Sequence, residues 1–187
     1  MEFVDPIRDV NKINEMKDVL RNQSQRDLLL FVFGINTGIN ISDLLSLRVG
    51  DLWDKSGMKE FLYVKEATNE EVKAYYLNNR IKIELGEYLR TIEHEGSDFL
   101  FKSKKDNQPI SRQQAYRIIN HAAKEVGIPG KIGMHTLRKT FGYHAYLKGI
   151  AISILMDIYN HHSPSETFKY IGINKEEKNL VKVDVNL

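Results

Sequence analysis

The sequence predicts a mainly α-helical protein with a small three-stranded antiparallel sheet. Apolar residues recur at helical spacing through most of the chain, and serine, glycine and proline mark the ends of these segments. Residues 59–67 and 71–78 instead alternate apolar and polar side chains around a polar turn, which is typical of a β-hairpin. Residues 97–103 predict a third strand.

The helices follow one another along the chain. A first amphipathic helix covers 9–22, with Val10 among its apolar residues. Ser24 is a suitable N-cap for a strongly apolar helix that Gly38 ends, because glycine readily adopts the left-handed conformation found there. Residues 48–57 predict a loop. The remaining predicted helices cover 41–47, 81–94, 111–128, 135–149, 151–161 and 163–173.

The composition excludes several classes of protein. The 187 residues are 42% hydrophobic and 28% charged, which is ordinary for a globular protein. There is no cysteine, so a disulfide framework and a thiolate zinc site are excluded. No apolar segment approaches the roughly 20 residues that span a membrane, and the N-terminus lacks the pattern of a signal peptide. We therefore expect a cytoplasmic protein with no membrane association.

The net charge of +2 hides an uneven distribution. Residues 1–100 carry 13 lysines and arginines against 18 acidic residues, whereas residues 101–148 carry 10 against 2. A basic segment indicates an anionic partner, most often nucleic acid. Basic helix faces are also commonly just solvated, so the charge alone leaves both interpretations open.

A set of chemically useful side chains lies in the last third of the chain. His135 and Arg138 are three residues apart and share one face of a predicted helix. His161 and Tyr170 follow, nine residues apart. A histidine metal site is disfavoured, because the histidines have no acidic or cysteine partner at ligand spacing. Each residue alone has an ordinary structural explanation, but the ordered set is far more specific.

Three segments resemble the catalytic domain of the tyrosine recombinases, also called phage integrases. GMHTLRKTFGYHAY (133–146) is similar to the family's His-x-x-Arg helix, and IYNHHSPSETFKYIGI (158–173) to its His–Tyr segment. GINTGINISDLLSLRVGDL (34–52) is similar to its first conserved segment. The resemblance runs from about residue 5 to 174. It implies a catalytic-like domain over 1–174 and a C-terminal tail over 175–187.

The resemblance implies a reaction at a phosphodiester of double-stranded DNA, with no metal and no cofactor. Tyr170 would be the nucleophile that forms a 3′-phosphotyrosyl link. Arg138 would bind the non-bridging oxygens, for which the planar guanidinium is suited. His135 and His161 would add hydrogen bonds or proton transfer.

The chain departs from the family at two positions. Asn40 stands where the resemblance requires the first catalytic arginine. Ala67, or Thr68 in an alternative alignment, stands where it requires the lysine of the hairpin, and Lys65 or Lys73 could replace that lysine. The sequence therefore favours a DNA-binding protein with impaired cleavage, and the alternative is an active site-specific recombinase. A helical interaction domain with no DNA role would leave the matched motifs and the basic segment unexplained.

We expect the basic segment to form one DNA-facing surface. The residues assigned to it are Lys102, Lys104, Lys105, Arg112, Arg117, Lys131 and Lys139. The tail resembles the segment that family members dock onto a neighbouring subunit, and residues 180–187 alternate apolar and polar side chains. The prediction is a monomer in solution that associates with itself in trans on DNA.

Overall fold

A computed structural model describes residues 4–65, 71–174 and 176–179. The helices are α1 Val10–Gln23, α2 Gln25–Thr37, α3 Ile41–Ser46, α4 Val49–Leu52, α5 Asn79–Arg90, α6 Arg112–Glu125, α7 Met134–Leu147, α8 Ile152–Tyr159 and α9 Pro164–Ile171. The strands are β1 Trp53–Asp54, β2 Gly57–Met58, β3 Phe61–Lys65 and β4 Val72–Tyr76. A 3₁₀ turn covers Glu177–Asn179. The mainly helical prediction is confirmed.

Helix α2 forms the centre of the larger hydrophobic core. It packs against α1, α5 and α7, and its residues from Asp27 to Gly34 are all buried. A helix that is apolar around most of its circumference has to be enclosed in this way. The Ser24 side chain accepts a hydrogen bond from the Asp27 N–H, and Gly38 ends the helix at φ 67°, as predicted. In α1, Val10 is 57% exposed, so the predicted apolar face begins one turn later.

The sheet prediction is wrong in one respect. The strands form two separate antiparallel pairs, β1 with β2 and β3 with β4, and residues 97–103 form no strand. That segment makes isolated bridges from Phe99 to Arg48 and from Lys102 to Pro109. Its buried side chains enter the core while its backbone bonds to neighbouring loops. The segment 48–57, predicted as a loop, instead contains α4, β1 and the first residue of β2.

Helices α7, α8 and α9 build a second, smaller core. Its buried members include Tyr143, Leu155, Tyr159 and Ile171. Gly142 of α7 allows this close packing, because a Cβ at that position would collide with the Tyr159 hydroxyl and Ile171. The packing fixes α8 and α9 against the helix that carries His135 and Arg138.

Some predictions concern residues that this structure does not describe. Ala67 and Thr68 of the hairpin turn and residues 180–187 of the tail lie outside the described residues. The division at residue 174 and docking in trans therefore stay predictions. The 3₁₀ turn at Glu177–Asn179 contacts other parts of the same chain, because Glu177 accepts hydrogen bonds from Arg8 and from the Tyr143 hydroxyl, both at 3.0 Å. Across the described ranges, every helix is too short or too polar to cross a membrane.

Candidate active site

A pocket of about 320 Å³ lies where α3, α7 and the α8–α9 segment meet. Polar and aromatic side chains line most of it. They include Asn40, Asp43, Tyr75, Arg112, His135, Arg138, Tyr159, Asn160, His161 and Tyr170. We call this cavity the Tyr170 pocket. It brings together all four residues that the sequence predicts as catalytic.

The first turns of α7 carry His135 and Arg138 into the pocket. Gly133 precedes the helix, and its N–H bonds to the Thr136 hydroxyl at 3.0 Å, which fixes the helix start. His135 Nδ1 lies 3.2 Å from the Tyr170 hydroxyl oxygen. A histidine and a tyrosine 35 residues apart are thus within hydrogen-bonding distance.

Arg138 is held between a carbonyl and an aromatic ring. Its Nη2 donates to the Ile158 carbonyl at 2.8 Å, and its Cζ lies 4.8 Å from the centre of the Tyr159 ring. The Tyr159 hydroxyl donates in turn to the Arg138 carbonyl at 2.8 Å. Because Tyr159 is buried, it gives the guanidinium a fixed support. This role of Tyr159 was not predicted from the sequence. The position of Tyr159 near His161 was the available indication that it lies at the site.

Tyr170 projects from α9 into a group of aromatic side chains. Its ring centre lies 5.0 Å from that of Tyr159 and 5.1 Å from that of His161, and Lys139 Nζ lies 5.1 Å from the ring centre. Burial raises the pKa of the Tyr170 hydroxyl, and the Arg138 charge opposes that rise. The hydroxyl is therefore protonated at neutral pH and needs a base to become a nucleophile.

The histidines are electrostatically suited to receive a proton. Partial burial lowers the pKa of His135 below the ordinary histidine value of 6.5, and the nearby cations Arg138, Lys139 and Arg112 lower it further. Burial also lowers the pKa of His161, with Glu166 opposing the shift. His161 Nδ1 lies 3.0 Å from the Thr167 hydroxyl, which orients the ring. Both imidazoles are thus mainly neutral at pH 7.

Asn40 lies in the wall of the Tyr170 pocket, but its side chain has a structural role. Its Oδ1 accepts a hydrogen bond from the Ser42 N–H at 2.9 Å and caps α3. An asparagine N-cap stabilises a helix by about 1 kcal/mol relative to alanine. The residue at the position of the expected arginine therefore supplies a helix cap and no positive charge.

The two lysines that could replace the hairpin lysine lie on opposite faces of the hairpin. Lys65 is exposed on the outer face with Tyr63. Lys73 is on the inner face with Tyr75, and its Nζ donates to the Ile158 carbonyl at 3.3 Å and to the Asn160 side chain. The Ile158 carbonyl also accepts from Arg138. Lys73 is therefore the one of the two that reaches the edge of the Tyr170 pocket.

The predicted DNA-contacting residues occupy several places. Lys104, Lys105 and Arg117 line a second cavity beside α6, which we call the α6 cleft, whereas Arg112 lines the Tyr170 pocket. Lys131 is exposed, and Lys102 pairs with Asp98 at 3.3 Å.

Lys139 is placed differently from the other basic residues. It is only 8% exposed, and its Nζ donates to the Val4 carbonyl at 2.9 Å. This interior position does not fit the predicted phosphate contact. On a helix, the residue after Arg138 points about 100° away, which here directs it into the protein.

Comparison with known proteins identifies the family of this chain. The profile of the phage integrase family matches residues 8–177. A probable integrase/recombinase, YoeC, from Bacillus subtilis (strain 168) is 43% identical over 176 residues, which are 94% of this chain and 93% of that protein. By contrast, the chain spans 50% to 55% of five longer tyrosine recombinases that it matches.

Solved structures share the fold. XerA recombinase matches 96% of this chain and 64% of its own, with a TM-score of 0.76 and 19% identity. A lambda integrase dimer bound to a COC′ core site matches 100% of this chain and 65% of its own, with a TM-score of 0.69 and 17% identity. Together with the family match, these similarities show that the chain belongs to the phage integrase family and has the fold of a tyrosine recombinase catalytic domain.

Proposed function

We propose that this chain binds double-stranded DNA and that its strand cleavage through Tyr170 is impaired. The observation that carries the proposal is Asn40, which lies in the wall of the Tyr170 pocket and supplies a helix cap in place of a guanidinium. The DNA partner is supported by the lambda integrase structure, in which a protein of the same fold is bound to its core site. The basic segment 101–148 supplies complementary charge.

The chemistry that the pocket supports is transfer of a DNA phosphoryl group to tyrosine. The Tyr170 oxygen attacks the phosphorus and forms a P–O bond, while its proton passes to the neutral imidazole of His135. The bond from phosphorus to the 5′ oxygen breaks, leaving a 3′-phosphotyrosyl link. Arg138 binds the non-bridging oxygens. We assign protonation of the departing 5′ oxygen to the Lys73 ammonium, because it shares the Ile158 carbonyl with Arg138.

The size of the expected impairment follows from the missing charge. An arginine that stabilises a transferring phosphoryl group contributes roughly 10³–10⁵ in rate. A single neutral donor, the most that the Asn40 amide could offer, is worth about 10²–10³. Asn40 also holds its cap bond through the same side chain. Cleavage is therefore expected to be slow even though His135 lies within hydrogen-bonding distance of Tyr170.

The alternative is an active site-specific recombinase. A specific observation favours it: one pocket is lined by Tyr170, His135, Arg138 and His161, and His135 Nδ1 lies 3.2 Å from the Tyr170 hydroxyl oxygen. We further propose that the tail associates with a neighbouring copy on DNA. A scattering measurement should then show a monomer without DNA, and a tight dimer without DNA would contradict this.

A covalent-trapping experiment distinguishes the two functions. Duplexes that the protein binds can be selected from a randomised pool and then nicked at successive positions, so that the released fragment diffuses away. We expect binding at low salt with slow, Tyr170-dependent accumulation of a protein–DNA adduct on a denaturing gel. Tyr170→Phe should bind DNA and form no adduct. Rapid adduct formation by the unaltered protein would establish the alternative.

A further inference from the structure

We infer that Arg112 is a phosphate-binding residue of the Tyr170 pocket, which supplies from α6 part of the positive charge that position 40 lacks. This inference rests on the proposed function in taking a DNA phosphate as the occupant of the pocket. The residue lies 72 positions after Asn40 in the sequence, and the fold brings both to the same cavity.

The start of α6 holds Arg112 in a defined position. Arg112 is the first residue of α6, directly after the N-cap Ser111. The Ser111 hydroxyl accepts from the Gln114 N–H at 3.1 Å, and the Gln114 side chain accepts from the Ser111 N–H at 2.8 Å. This reciprocal pair fixes the first turn. Helix α6 contacts both α3 and α7, the helices that carry Asn40 and Arg138 at their starts.

The guanidinium of Arg112 is available for a ligand. Among the described residues it forms no hydrogen bond or ion pair, whereas Arg26 is bonded to Asp27 and Arg48 to Ser97. Arg112 is an exposed residue and lines the Tyr170 pocket with His135 and Arg138. A cation that faces a polar cavity without an acidic partner is suited to an anion that enters the cavity.

The positive charge of Arg112 acts on a residue inside the pocket, His135. It is one of three cations that lower the pKa of His135, after burial and together with Arg138 and Lys139. Lys139 also lies near the Tyr170 ring, but it is buried, its Nζ donates to the Val4 carbonyl, and it is not part of the pocket lining. Arg112 and Arg138 are therefore the two guanidinium groups that a phosphate in the pocket would meet.

Titration with inorganic phosphate tests the inference without a known DNA site. The Nε–Hε signals of the arginines are followed by NMR as sodium phosphate is added to the whole chain. We expect the Arg112 and Arg138 signals to shift with the same dissociation constant. Arg112→Gln should weaken phosphate binding, as read at Arg138, by about three- to tenfold, the loss expected for one partly exposed charge-assisted contact.

Lys124→Gln is the control, because Lys124 is an exposed cation of the same helix that is not part of the Tyr170 pocket lining. It should leave phosphate affinity at Arg138 unchanged. Arg112→Lys keeps the positive charge but loses the paired donors of the planar guanidinium. Its phosphate affinity should lie between those of the wild type and Arg112→Gln. The backbone amide spectrum checks that each variant is folded.

The results separate this inference from the proposed function. If Arg112→Gln binds phosphate as tightly as the wild type, or no arginine signal responds to phosphate, the inference is overturned. If Arg112→Gln weakens phosphate binding but no Tyr170 adduct forms on any DNA, the assignment of Arg112 holds and cleavage is lost for another reason. Phosphate binding does not require the covalent step, so the two results are independent.

Discussion

Tyr159 and Arg138 hold each other through two contacts. The Tyr159 hydroxyl donates to the Arg138 carbonyl at 2.8 Å, and the Arg138 guanidinium lies 4.8 Å from the centre of the Tyr159 ring. The first contact ties α8 to α7, and the second orients the Arg138 guanidinium. The stability of the fold and the preparation of the site are therefore coupled at this pair.

Substitutions at Tyr159 should separate these contributions. Tyr159→Phe keeps the ring and removes the hydroxyl, so we expect the free energy of unfolding to fall by about 1 kcal/mol with phosphate affinity nearly unchanged. Tyr159→Leu also removes the ring and should lower both quantities. Urea unfolding and the arginine NMR titration measure them. An equal loss of phosphate affinity in the two variants would show that the ring does not position Arg138.

The pH dependence of adduct formation should report the charge of His135. As a proton acceptor His135 has to be neutral, and its pKa is lowered by burial and by neighbouring cations. The rate should therefore be constant above about pH 7 and fall as the pH drops through the pKa of His135, which lies below the ordinary histidine value. The raised pKa of Tyr170 means that no ionised tyrosine replaces the base at neutral pH.

His135→Gln is the control for this pH profile. The variant keeps a polar side chain but cannot accept the proton, so adduct formation should slow by about 10²–10⁴. The remaining pH dependence should be shallower, because His161 is then the one imidazole left among the described residues that line the pocket. A profile that is identical in His135→Gln and the wild type would assign the proton to another acceptor.

The salt dependence of DNA binding should distinguish exposed from buried lysines. Lys104→Met and Lys105→Met each remove an exposed charge beside the α6 cleft, so each should reduce the salt slope by up to about 1 if it contacts a phosphate. Lys139→Met removes a buried charge and should leave the slope unchanged. Binding to a random-sequence duplex from low to physiological salt measures this. A reduced slope for Lys139→Met would place that ammonium on DNA.

Features that depend on local sequence were predicted well. The helices follow from apolar spacing and caps, as at Ser24 and Gly38, because those interactions lie within a few residues of one another. That residues 97–103 form no third strand was not predictable, because Leu100 and Phe101 pair through their backbones with Leu47 and Ile110 rather than with the hairpin. Such long-range pairing has no local signal.

The candidate site was predictable only as a set of residue types. The order of His135, Arg138, His161 and Tyr170 follows from motifs, and the fold brings them together. The contacts that support these residues depend on how α6, α8 and the hairpin pack against one another. The spacing of apolar residues along the sequence does not specify that packing. The helix cap made by Asn40 was predictable from the sequence in principle, since asparagine before an apolar helical segment is a common N-cap.

Asn40→Arg should separate the effect of charge on cleavage from the effect of the helix cap on stability at position 40. The arginine adds a guanidinium beside the Tyr170 pocket and removes the cap bond to Ser42, so we expect faster adduct formation together with about 1 kcal/mol less stability. Asn40→Ala is the matched control, because it loses the cap without gaining charge. Trapping rates and urea unfolding of both variants give the comparison. If Asn40→Arg cleaves no faster than Asn40→Ala although both bind DNA, the missing charge at position 40 is not what limits cleavage.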